Sequence, residues 1–212
     1  MNFARKERDA LCLLLSEKGP GAPTLCEGWT TRDLAAHLVL REHRPDASIG
    51  IIAGPLAGYT ARIQNKIAQQ HDYPQLITMI RQGPPLFSLF AIPGVDERAN
   101  TVEYYVHHED VRRGAPGWEP RQLGEAMQDA LWHRLGIARL VLRNAPCGVT
   151  LRRAGAPGTQ PVVAKRGTPM VTVTGTAGEL TLWVSGRTSA ARVQLDGDSE
   201  AVTRLGGAHW QL

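Results

Sequence analysis

Within "TVEYYVHHEDVRR", Thr101 to Arg113, Glu103, two adjacent histidines, Glu109 and Asp110 stand among apolar residues. On a helix, positions three and four apart share a face, so Glu103 and His107 project from adjacent turns toward one point. A further histidine, His37, lies in "TTRDLAAHLVLREHR" between Leu34, Leu38 and Arg41, and the two leucines draw that side of the segment inward. If the two helices pack together, two imidazoles and one carboxylate converge inside a bundle, which is how bundles build metal sites. That donor set suits zinc, with the fourth position left for water or substrate. Nickel, iron and manganese accept the same donors. A second reading stands beside it. An E-x-x-x-H pair with flanking charges also describes a solvated helix face, and a histidine in an Ala-Ala-His-Leu run also fits a core residue bonded to a carbonyl. His108, turned by about 100° from His107, is expected on a solvated or interface side. Glu109, Asp110, Arg112 and Arg113 are expected to form a charged outer face, with Glu109 paired to Arg113 at i,i+4.

These side chains need helices to carry them. Thr30 and Asp33 have capping-box spacing, and Trp29 and Leu34 stand where a hydrophobic staple would place them, so a helix starts at Thr31 and ends near Pro45. Before it, Phe3, Ala10, Leu11, Leu14 and Leu15 follow helical spacing up to Gly19-Pro20-Gly21. In "ARIQNKIAQQ" Ile63 and Ile67 resume that spacing, "YPQLITMIRQG" continues or restarts the helix, and "PPLFSLFAIPG" reads as a connector. A helix is predicted from Val95 to Arg113, closed by Gly114. Another is predicted through "PRQLGEAMQDALWHRLGIARLVLRN", with Pro120 in its first turn and Leu123, Met127, Ala130, Ile137 and Val141 as its buried stripe. Beyond Cys147, "GVTLRRAG", "MVTVTG" and "ARVQLDG" read as strands. Thr176 and Glu179 cap a helix through Leu180, Trp183 and Val184 that stops at Gly186, and "DSEAVTRLGG" closes the chain as a helix. The expected fold is α+β, a helical bundle over residues 1–145 followed by a small α/β domain over 146–212.

With 212 residues and 42% hydrophobic content, the chain is long enough to bury a core,. Its net charge of +4 is spread without blocks of like charge, which argues against a nucleic-acid partner. Cys12, Cys26 and Cys147 lie far apart with no CxxC spacing, a usage that fits a reducing cytoplasm,. Leu11 to Leu15 is too short an apolar run for a signal-peptide core or a membrane span.

Three segments together resemble a known family. "LCEGWTTRDLAAHL", "VEYYVHHEDVRR" and "ELTLWVSGR" resemble the DinB-like, mycothiol-dependent maleylpyruvate isomerase family. The resemblance implies a DinB-like four-helix bundle and a sterol-carrier-like C-terminal domain. It implies a divalent metal on His37, Glu103 and His107, with zinc foremost and nickel, iron or manganese as alternatives. Arg187 corresponds to the family's C-terminal arginine, which helps place an anionic substrate; a charge set against the helix dipole explains the same residue. Mycothiol is the implied cosubstrate, and the implied activity is a thiol transferase or isomerase acting on a small electrophile. The identity of that electrophile is not inherited, because "YYVHHEDVRRGAPGW" departs from the isomerase and looks like another actinobacterial branch. The expected partners are a small-molecule thiol and its electrophile, with neither nucleic acid nor membrane, in a cytoplasmic monomer or homodimer. The alternative is a non-enzymatic protein that binds a small apolar ligand and keeps a structural or vestigial metal site.

Overall fold

The computed structural model describes residues 2–44, 46–47, 57–85, 95–208 and 210. It divides into two units, Met1–Glu119 and Pro120–Leu212. The first unit is helical: α1 (Phe3–Lys18), α2 (Thr31–His43), α3 (Ala57–Gln70), α4 (Tyr73–Gln82) and α5 (Val95–Arg112). Most of the expected connector "PPLFSLFAIPG", from position 86 onward, lies outside the described residues.

Local chemistry sets the ends of these helices. Asn2 accepts from the Arg5 backbone at the start of α1, and the Glu97 carboxylate takes the Phe3 and Ala4 amides at 3.1 and 3.3 Å. Thr30 and Asp33 form the full capping box of α2. Arg32 donates to the Ala68 and His71 carbonyls at 2.6 and 2.7 Å, satisfying acceptors freed at the end of α3. Asp72 and Gln75 form a second capping box, so "YPQLITMIRQG" restarts as α4. Leu11, Leu15, Leu34, Leu38, Leu76, Ile80 and Tyr104 are buried together between α1, α2, α4 and α5.

The second unit runs α6 (Glu125–Trp132), α7 (Ala138–Val141), β1 (Gly148–Arg153), β2 (Val162–Lys165), β3 (Met170–Gly175), α8 (Ala177–Val184), β4 (Gln194–Gly197) and α9 (Ser199–Gly206). Its sheet order is β2-β1-β3-β4, with β1 and β3 parallel and both outer pairs antiparallel. Among the described helices none is long and apolar enough to cross a membrane. The α+β class expected from the sequence is the one observed.

The structure differs from the sequence reading in several places. Residues 120–144 do not form one helix. Gly124 caps α6, and the chain continues through short 3-10 turns at Leu135–Ile137 and Leu142–Asn144 around α7. The buried positions are Met127, Leu131, Trp132, Leu135, Ala138 and Leu142, while Ile137 is exposed. This segment belongs with the second unit rather than the bundle, since Gln128 accepts from the Gly178 amide at the start of α8 and Asp129 and Glu125 pair with Arg153 of β1. At Thr176 the cap is present, but the Glu179 carboxylate takes the Arg192 amide at 2.7 Å.

Candidate metal centre

His37 and Arg41 are four residues apart on α2, and Asn100, Glu103, Tyr104 and His107 follow the three-and-four spacing of one face of α5. These faces meet through polar side chains. Glu42, almost fully buried, accepts from Arg8 at 2.6 Å, Tyr104 at 2.8 Å and Asn100 at 3.1 Å. Arg41 donates to Asn100 and lies 3.2 Å from Glu103 Oε1. A buried charge held this way is costly to orphan, so the network ties α1, α2 and α5 together beside the histidines.

His37, Glu103 and His107 present ligand atoms within 4.8 Å of one another. Glu103 Oε1 lies 3.2 Å from His107 Nε2 and 3.6 Å from His37 Nε2. Ligand bonds of about 2.0–2.1 Å at tetrahedral angles put neighbouring donor atoms about 3.3 Å apart. The observed separations bracket that span, and the donors are the two imidazoles and one carboxylate that zinc accepts. The residues therefore fit a divalent cation. The His37 and His107 side chains are 8% and 9% exposed and that of Glu103 is 25% exposed, so this unit leaves the donor set accessible on its carboxylate side.

The electrostatics separate the three groups. Burial opposes ionisation of Glu103, but the Arg41 guanidinium and the two imidazoles outweigh it and hold the carboxyl well below the usual carboxylate range. Burial lowers the pKa of His37, keeping its ring neutral and able to donate a lone pair. Burial also works against a proton on His107, yet Asp110, Cys26 and Glu103 together hold its pKa well above the usual value.

Two further supports come from the loop before α2. The Trp29 and His37 rings lie 5.0 Å apart. Cys26 Sγ donates to Asp110 Oδ2 at 3.2 Å, and the same oxygen lies 2.9 Å from His107 Nδ1. The expected outward face of α5 is absent. Glu109 and Asp110 are fully buried, Arg113 is 3% exposed, and His108 is buried against Glu7 at 2.9 Å. The predicted Glu109–Arg113 pair exists at 2.6 Å, but inside the unit rather than on its surface. Alternating charge looks the same in sequence whether partners are water or each other, so spacing alone does not separate this buried face from a solvated one. Asp110 is the site neighbour that sequence reasoning missed; its signal was the i,i+3 spacing from His107. Arg187 follows α8 in the second unit, where its guanidinium donates to the Ser185 carbonyl at 2.6 Å.

Residues 4–49 match the model of the mycothiol maleylpyruvate isomerase N-terminal domain, a window that includes His37 and the loop before α2 but neither Glu103 nor His107. A crystal structure of the mycothiol-dependent maleylpyruvate isomerase shares the fold at a TM-score of 0.61 and 16% identity, over 92% of this chain and 90% of that one. A structure of a histidine-to-alanine mutant under the same name gives 0.60 and 15%, with the same coverage. No curated protein matches the sequence significantly. The N-terminal match agrees with the family that the motifs resemble, and the solved structures show that this chain shares the fold.

Proposed function

We propose that the chain binds a divalent metal through His37, Glu103 and His107 and brings a low-molecular-weight thiol, mycothiol, to a small electrophile, as an isomerase or S-transferase. The observation that carries this reading is the convergence of three zinc-type donors from two helices, with Glu103 Oε1 at 3.2 and 3.6 Å from the two imidazoles. A divalent cation in such a site supplies Lewis acidity and favours the thiolate form of a thiol that reaches it. The rest falls to the chain's own residues. His37 offers a neutral Nε2, Arg41 keeps Glu103 ionised, and the buried walls around both imidazoles limit water on that side. In isomerisation the thiol loses its proton to solvent and its sulfur adds to an activated carbon–carbon double bond, which becomes single and rotates. Expulsion of the same sulfur restores the double bond. In S-transfer the new carbon–sulfur bond remains and a leaving group departs, or the adjacent carbon takes up a proton. Arg187 is assigned as the partner of an anionic group on the electrophile.

The test is elemental analysis of protein purified without added metal. About one divalent ion per chain is expected. His107→Ala should lose it, whereas His108→Ala should keep it while losing stability, because the buried His108–Glu7 hydrogen bond is removed. Metal retained unchanged by His107→Ala would overturn the site. Metal binding with no acceleration of thiol addition would instead leave the small-ligand carrier as the reading.

A further inference from the structure

Resting on that reading of the metal site, we infer that Asp110 is a positioning residue that decides which nitrogen of His107 faces Glu103 and His37, and that the loop before α2 exists in part to hold Asp110 in place. A histidine ligand has two chemically distinct nitrogens, and the partner of one fixes which lone pair is offered by the other. Here Asp110 Oδ2 lies 2.9 Å from Nδ1 and Glu103 Oε1 lies 3.2 Å from Nε2, on opposite sides of the ring. With the Nδ1 proton donated to Asp110, the Nε2 lone pair points into the three-donor site.

Asp110 is held from the loop at two points. Cys26 Sγ donates to its carboxylate at 3.2 Å, and the Leu25 amide donates to its main-chain carbonyl at 3.0 Å. The loop is shaped for this. Thr24 Oγ1 donates to the Trp29 carbonyl at 2.9 Å and accepts from the Cys26 amide at 3.1 Å. Gly28 supplies the turn between them with φ +74°, where a side chain would be strained. Both imidazoles are thus supported from one loop, His37 by the Trp29 ring and His107 through Asp110.

Cys26, His107 and Asp110 also lie close enough to be considered a donor set of their own. Their spacing argues otherwise. The nitrogen–oxygen separation of 2.9 Å is that of a hydrogen bond, shorter than the span of about 3.3 Å between two such donors on a tetrahedral cation. The carboxylate–imidazole–metal order, rather than a second cation, accounts for it.

Metal-competition titrations on the wild type and on Asp110→Ala and Asp110→Asn decide the matter. Asp110→Ala should weaken zinc binding by about 10- to 100-fold. Asp110→Asn, whose carbonyl still accepts from Nδ1–H, should recover most of that loss. An unchanged affinity in Asp110→Ala, or an Asn variant as weak as the Ala variant, would overturn the inference. So would an intense sulfur-to-cobalt band in the cobalt-substituted wild type without added thiol, since it would put Cys26 on the metal. If the wild type binds no metal, the metal reading fails separately. The inference is then decided on the metal-free protein by the Nδ1 proton of the His107 ring in NMR. In the wild type, bonded to Asp110 at 2.9 Å, it should lie downfield and exchange slowly, and in Asp110→Ala it should move upfield or exchange away; identical spectra would refute the inference.

Discussion

Cys12 shows how much one buried atom weighs at the residue scale. Its side chain is inaccessible, its Sγ donates to the Ile77 carbonyl at 3.8 Å, and burial pushes the thiol up from 9.0 to about 11. In the unfolded chain the thiol ionises first, so the stabilisation is complete below about pH 9 and is lost as pH rises toward 11. A shift of this size corresponds to about 2–3 kcal/mol. Denaturant titrations from pH 8 to 11 should therefore show a steeper alkaline decline for the wild type than for Cys12→Ala. Parallel declines would show that the thiol ionises without unfolding the bundle around it. The same preference for internal partners over water governs α5, where Glu109, Asp110 and His108 are all buried and paired. Each is a polar group whose burial is tolerated because a partner replaces water.

At the scale of elements, α2 determines whether His37 arrives at the site. Its start is fixed by Thr30, which accepts from the Asp33 amide while the Asp33 carboxylate takes the Thr30 amide at 2.9 Å. Thr30→Ala should cost about 1 kcal/mol, and Thr30→Ser should restore nearly all of it; chemical denaturation of the three proteins measures both. An alanine variant as stable as the wild type would mean that the Trp29 contacts alone fix the helix start. That start was legible in the sequence because a capping box is local, and the Glu103–His107 face was legible because helical spacing is regular. Neither needs knowledge of what packs against it. The buried side of α5 was not legible, since Glu7 and Cys26, which face His108 and Asp110, are distant in sequence. β2 escaped because four residues with one buried position, Ala164, carry no alternation strong enough to mark a strand. The break after α6 escaped for a related reason. The apolar residues at 127, 131, 135, 138 and 142 keep helical spacing across turns that tighten to 3-10 geometry, so periodicity alone extends the helix.

For the whole molecule, the consequence lies in where the chain divides. All three proposed ligands, the loop that supports them and the apolar cluster around Leu11, Leu34, Leu76 and Tyr104 lie within Met1–Glu119. Arg187 lies within Pro120–Leu212. A fragment ending at Glu119 keeps that apolar cluster and should remain helical with about one divalent ion per chain. A longer fragment ending at Asn144 adds α6 without α8 and so exposes Met127, Leu131 and Trp132, which are buried in the full chain. It should be the less soluble of the two, as an uncovered apolar helix face favours association. Circular dichroism, metal content and sedimentation of both fragments test these expectations. A folded 1–119 fragment that binds no metal would mean that His37, Glu103 and His107 do not suffice. If it binds metal and thiol but no longer turns over an anionic electrophile, the recognition step belongs to the second unit. Arg187→Ala in the full chain should then raise KM with little change in metal content. Undiminished turnover by the fragment would remove Arg187 from the reaction and leave the first unit as the whole of the catalytic machinery.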